Sequence, residues 1–164
     1  TNNYNLLFSL PVSPGFSPSV FGGSLIATLT DANNSGSASM GLIGTGDGAM
    51  YNGLIDGITS SSSVLQLFAI DELTCLGGGG SSGCTATHSQ SAGLPGLTLL
   101  GPGVTSSIGT LLSFSLTPGD SVTFTTNFVV EPAPVPLPAA LPLLLIGLGG
   151  LGLVRRRARA AAAA

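Results

Sequence analysis

The stretch Ala139–Val154, AALPLLLIGLGGLGLV, holds sixteen consecutive residues with no charged or strongly polar side chain, and Arg155, Arg156, Arg157 and Arg159 follow it directly. No other feature constrains the chain as tightly. As a helix the run would measure about 24 Å at ~1.5 Å per residue, or about 28 Å counted from Pro136, against a bilayer hydrocarbon core of ~30 Å. It therefore reads as one C-terminal transmembrane helix over residues 139–154. Pro142 would fall in the first turns, where a missing N–H costs least, and Gly147, Gly149, Gly150 and Gly152 are of a kind tolerated in membrane helices. A buried core helix is the alternative, though runs of that class are usually shorter. Arginines beside a span stay on the cytoplasmic side, which makes residues 155–164 a basic cytoplasmic tail and places the N-terminal mass outside.

The charges are as segregated as the hydropathy. The chain has no lysine, and its only four cations are the arginines of the tail. All seven acidic residues (Asp31, Asp47, Asp56, Asp71, Glu72, Asp120 and Glu131) precede Val135. Charged residues make up 7% of the chain, against ~25% in an average soluble domain. A segment without a single cation lacks the electrostatic footprint of nucleic-acid binding, so no nucleic acid is expected as a partner. The balance suits a neutral extracellular β-protein better than a cytosolic enzyme. The chain starts at Thr1 without the charged and apolar regions of a signal peptide, so the expectation is a start removed by processing, or a fragment.

Between the acidic bulk and the apolar run, Pro132, Pro134, Pro136 and Pro138 alternate. Each restricts the residue before it to extended conformations, so residues 131–138 are expected to form a stiff linker that joins neither helix nor sheet. Within it lies Val135-Pro136-Leu137-Pro138-Ala139. This string, followed by a glycine-interrupted leucine run and an arginine cluster, resembles the PEP-CTERM family of sorting signals in its VPLPA variant. The resemblance covers residues 135 to about 159. It departs from the commonest form in having Leu137 where a Glu is usual, and Ala160–Ala164 outrun the usual ending. The resemblance implies an exosortase as partner, an integral-membrane transpeptidase or protease of Gram-negative bacteria. That enzyme would act near the motif on an inner-membrane-anchored precursor and pass the external domain to the envelope or the exterior.

Residues 1–130 read as a β-rich extracytoplasmic domain. In Ser121–Val130, SVTFTTNFVV, period-two alternation puts Val122, Phe124, Thr126, Phe128 and Val130 on one face. Shorter patterns of the same kind occur at Tyr4–Leu10, Ser24–Thr30, Val64–Ile70 and Leu111–Leu116, with Gly-, Pro- and Asn-rich breaks between most of them. Several short strands of this sort imply an all-β fold, an antiparallel sandwich or jelly roll.

Cys75 and Cys84 flank a Gly/Ser-rich segment. In an exported protein they are most simply a disulfide, contributing about 2 to 3 kcal/mol on a loop-entropy account; a metal site would need more ligands than His88 adds. Gly79-Gly80-Ser81-Ser82-Gly83 matches the Gly-x-Ser-x-Gly pattern, but no helix pattern follows it, and His88, the one imidazole, reads as a solvated loop residue. Asp31, Asn33 and Ser35 with Gly36 resemble the first half of a calcium loop, yet Leu42 stands where such a loop supplies a Glu. An ordinary strand connection is the plainer reading. No cofactor is called for and no catalytic residue stands out.

Two functional classes remain. One is a structural or interaction protein of the envelope or extracellular matrix, sorted through its tail, with exopolysaccharide as a further candidate partner. The other is a carbohydrate-binding or degrading module on the same anchor, which would need exposed aromatics or opposed carboxylates. The chain offers no Trp, only Tyr4 and Tyr51 as tyrosines, and Asp71-Glu72 as an adjacent pair. An uncleaved single-span membrane protein is the variant in which the proline motif is only a spacer.

Overall fold

A computed structural model describes residues 1–43, 48–58, 63–69, 72–77 and 83–134, together with Leu144 and Ile146. The chain divides into two units, Thr1–Ala133 and Pro134–Ala164. The described part of the first unit is all β: β1 (Asn2–Pro11), β2 (Ser19–Thr30), β3 (Ser37–Leu42), β4 (Tyr51–Ile55), β5 (Ser63–Leu67), β6 (Glu72–Leu76), β7 (Thr85–Ala92), β8 (Leu99–Gly101), β9 (Ser107–Leu116) and β10 (Ser121–Pro132). They form two antiparallel sheets in a sandwich-like arrangement, one of six strands and one of four.

The two sheets share a plan. Each has one long central strand with an equally long neighbour on one edge and two short strands, end to end, on the other. In the larger sheet β9 pairs along its whole length with β1, from Asn2 opposite Leu116 to Pro11 opposite Ser107. Its second edge is shared by β4, opposite residues 108–112, and β3, opposite 114–116. β5 and β6 then extend β4 and β3 outward. In the smaller sheet β2 pairs along its whole length with β10, and its second edge is shared by β7 and β8.

The core lies between the sheets and is built by alternation. β2 sends Phe21, Leu25, Ala27 and Leu29 inward, while Ile26 points out and is exposed. β9 contributes Leu112, Phe114 and Leu116; Met40, Tyr51, Leu65, Leu67 and Phe68 complete the layer. From β10 come Val122, Phe124, Phe128 and Val130, partly buried against this cluster, which is the face that period two predicts. Gly53 in β4 makes room for one of them, since a Cβ there would stand 2.6 Å from Phe128 Cε2.

The five expected strands all exist, with shifted ends. The expected Val64–Ile70 stops at Leu67, because Phe68 takes a left-handed φ of 60° and turns a fully buried side chain into the core; Ile70 lies outside the described residues. At the other end of the chain, residues 131–138 do not wholly avoid the sheet. Glu131 and Pro132 pair with Val20 and Ser19 as the last residues of β10, and the Ala133 amide donates to the Pro18 carbonyl at 2.9 Å. A proline fits there because β10 is an edge strand, where a missing N–H costs the ladder least.

Candidate functional site

Cys75 and Cys84 are bonded to each other, with Cα atoms 5.8 Å apart. The structure adds what the spacing could not show. Cys75 belongs to β6 of the larger sheet, and Cys84 immediately precedes β7 of the smaller one. The bond therefore staples the two layers along one side of the sandwich. The Cys84 carbonyl accepts the Asp31 amide at 2.9 Å, which ties the same point to the end of β2.

The sequence candidates for metal and catalysis fall into structural roles. Asp31, 3% exposed, accepts the Ser35 amide on Oδ1 at 3.1 Å and the Gly36 amide on Oδ2 at 2.8 Å. Asn33 Oδ1 also accepts from the Ser35 amide, its Nδ2 donates to the Pro118 carbonyl, and Ser35 Oγ donates to the Ser37 carbonyl. These atoms close the turn between β2 and β3, as short polar side chains do where the backbone reverses. Among the described residues no three His, Cys, Asp or Glu groups gather as a metal site would require. His88 is not a solvated loop residue: it sits in β7 opposite Ala27 and packs edge-on against Phe68, ring centroids 4.6 Å apart. Gly79–Ser82 of the Gly-x-Ser-x-Gly string lie outside the described residues. Of the two tyrosines, Tyr51 is fully buried and donates its hydroxyl to the Asn127 carbonyl at 3.2 Å, with burial pushing its phenol above the ordinary range. Tyr4 stacks on Phe114 at 5.3 Å.

One carboxylate that sequence reasoning passed over organises a loop. Asp56 follows β4 with a left-handed φ of 52°. Its Oδ1 accepts from the amides of Ser106 and Ser107 at 2.7 and 3.0 Å and from Ser106 Oγ, while Oδ2 accepts from the amide and hydroxyl of Thr105 at 2.7 and 2.9 Å. The Asp56 amide in turn donates to the Ser107 carbonyl. Donation from the Ser107 and Ser106 amides holds this carboxyl well below the usual carboxylate range. The clamp sets where β9 begins. Its sequence signal was the Thr105-Ser106-Ser107 run, three donors in a row, but nothing in the chain announces which acid they serve.

The most unusual surface is β1. All ten of its residues are exposed, and on the side it shares with Leu112 and Phe114 stand Tyr4, Leu6, Phe8 and Leu10, at 39%, 40%, 59% and 62% exposure. These are core-facing positions that nonetheless stay exposed. Phe8 and Leu10, with Ile108, Thr110 and Phe128 of β10, line an open groove of about 220 Å³. The strand itself was legible from Tyr4–Leu10; its lack of cover was not.

The expected sorting motif Val135, Pro136, Leu137, Pro138 and Ala139, the span 139–154 apart from Leu144 and Ile146, and Arg155, Arg156, Arg157 and Arg159 lie outside the described residues. Leu144 and Ile146 are helical and exposed; among the described residues no helix is long and apolar enough to cross a membrane. No protein-family model, curated protein or solved structure matches the chain.

Proposed function

We propose that the chain is an exosortase substrate. In this reading residues 1–133 are cargo, a disulfide-stapled β-sandwich with a structural or interaction role in the envelope or extracellular matrix of a Gram-negative bacterium, and residues 135–159 are its sorting signal. The observation that carries the reading is the order of three features: Val135-Pro136-Leu137-Pro138-Ala139, then the uncharged run 139–154, then all the basic residues of the chain. Two structural facts support it. The compact first unit ends at Ala133, just before the motif, so cutting there would sever no strand of the sandwich. The unit also carries a disulfide, a bond that persists in oxidising, extracytoplasmic compartments.

The division of labour in the tail is physical. The arginines set orientation by staying inside, the apolar run holds the precursor in the bilayer, and the prolines keep the motif extended for a protease cleft. Expression in a host with and without its exosortase tests this by a size shift on a gel. The wild-type chain shortens only when the enzyme is present. The double variant Pro136→Ala, Pro138→Ala inserts but is not cut, because the segment can now continue the helix. If that variant is shortened to the wild-type product, the motif is a spacer and the chain is a plain single-span membrane protein.

A further inference from the structure

The two sheets are stepped by one strand on the β1 side. The turn Thr117–Asp120 sends β10 back over β9, so that Phe114 meets Phe124 edge-on at 4.8 Å. β1 pairs with the far edge of β9 and therefore extends past β10, where no strand among the described residues faces it. β9 is antiparallel to β1, and the turn Thr117–Asp120 reverses the chain from β9 into β10, so β1 and β10 run in the same direction, with Tyr4 at the level of Phe124 and Phe8 at the level of Phe128. The result is a ledge with two strand edges that are unpaired among the described residues, one on β1 and one on β10, and an apolar tread of Tyr4, Leu6, Phe8 and Leu10 between them.

Edge strands are normally blunted by charge, internal proline, a bulge or a cover. In Asn2–Pro11 there is no charged residue, the only proline is the last, and the pairing with β9 runs without a bulge. An edge of this length and apolarity left open is an invitation to pair.

We propose that the ledge is the interface of a homodimer, in which two copies interlock about a two-fold axis lying along the strands. Such an axis exchanges the two layers and reverses left and right while preserving strand direction and level. β1 of one copy then lies on β1 of the other, tread against tread, and its free edge meets the free edge of the other's β10 as a parallel ladder. Each six-stranded sheet thereby continues into its partner's four-stranded sheet. The step is self-complementary, as an isologous interface must be.

Other occupants fit less well. A single added peptide would cover the tread and pair with β10 but leave the outer edge of β1 open; the second copy satisfies both edges. Pairing β10 to β10 without exchanging layers would drive each β1 into the place held by the partner's β9. The exposed parts of four side chains alone fall short of the ~800 Å² per partner of a stable interface, whereas the interlocked joint also buries the flanks of two long strands on each copy. With no charge on β1, nothing repels at its centre, in keeping with charge-depleted interface cores.

The test uses the full chain in mild non-ionic detergent, with mass measured by sedimentation. The wild type is dimeric at roughly 100 µM and dissociates on dilution. Phe8→Lys, at a position already exposed, weakens the dimer at least about tenfold, whereas Leu7→Lys, on the outer face of the same strand, changes it far less. Association through the tail is common to both variants, so this contrast isolates the strand. Cysteine pairing tests the geometry with the tread intact. Asn5 and Thr125 lie on opposite outer faces within one copy, but the proposed axis brings Asn5 of one copy beside Thr125 of the other. Mild oxidation of a mixture of Asn5→Cys and Thr125→Cys chains gives a covalent dimer, and neither variant gives one alone. A monomeric wild type, a dimer indifferent to Phe8→Lys, or Asn5→Cys linking to itself overturns the proposal. None of these results depends on exosortase cleavage, so the two readings stand or fall separately.

Discussion

Along one side of the sandwich β6 and β7 are joined by the Cys75–Cys84 bond, and Phe68, fully buried, is held there by two residues of β7. Its ring meets His88, and its amide donates to Gln90 Oε1 at 2.5 Å. Along the opposite side, β1 and β10 end the sheets one strand out of step, and Phe8 stands 59% exposed. Both phenylalanines belong to strands or strand ends with alternating apolar residues. What separates them is whether the facing sheet reaches that far. One side is closed by covalent and packing forces within the chain, and the other presents the same kind of residues outward.

The sharpest way to break that contrast is to truncate the two rings. Phe68→Ala removes a buried aromatic from a packed site and lowers unfolding free energy by about 3 to 5 kcal/mol. Phe8→Ala, in protein dilute enough to be monomeric, costs less than about 1 kcal/mol, because much of that ring already meets water. Urea titration of both variants checks the difference; equal costs would mean that β1 is covered in the free chain.

Next in size is the staple. In wild-type exported material neither cysteine is alkylated without reductant, and the double variant Cys75→Ser, Cys84→Ser unfolds with about 2 to 3 kcal/mol less stability on the loop-closure account. Because the bond joins two sheets, hydrogen exchange should rise first in β6 and β7, with β1 unaffected.

A smaller effect reaches the open side through Asp56, whose clamp sets the start of β9 and so the level at which β1 is held. Its folded pKa lies below its unfolded value of ~3.9. The stability it contributes is therefore complete above that unfolded value and is lost as pH falls from about 4 toward the lower folded value. Unfolding measured across this acid range should show Asp56→Asn less stable than wild type at neutral pH, with the gap narrowing as acid is added. A constant gap would mean that the carboxylate's charge is not what the Thr105–Ser107 donors hold.

Smallest is Leu10→Ala at the rim of the groove, 62% exposed, which should change monomer stability by a few tenths of a kcal/mol at most. A larger loss in dilute protein would place cover over the ledge within one copy.

Legibility followed side-chain chemistry. Strands with apolar residues at period two, β1, β5, β10 and the second halves of β2 and β9, were visible because alternation is what a half-buried strand imposes. β7, Thr-Ala-Thr-His-Ser-Gln-Ser-Ala, was not, since its small and polar side chains pair through the backbone with β2 and show no hydropathy wave. β4 was hidden for the opposite reason: all five of its residues are buried, so no alternation survives. Glu131 and Pro132 were assigned to the linker because proline argues against a strand in general, whereas an edge position tolerates it.

The amino-acid order alone determined that residues 1–130 are β-rich, that two cysteines nine positions apart can reach each other, and that charge and apolarity divide the chain near Val135. Each of these is a local property, set by side-chain period, loop length or composition. Only the tertiary structure decided that the disulfide joins two sheets, that Asp56 serves residues some fifty positions away, and that Tyr4, Leu6, Phe8 and Leu10 face inward yet stay exposed. Those outcomes depend on which strands become neighbours, and β9 makes that choice by giving one whole edge to β1 and lying under β10 with the same inward face. A strand's own pattern states that one of its faces needs cover. Whether the cover comes from the same chain depends on where the opposite sheet ends.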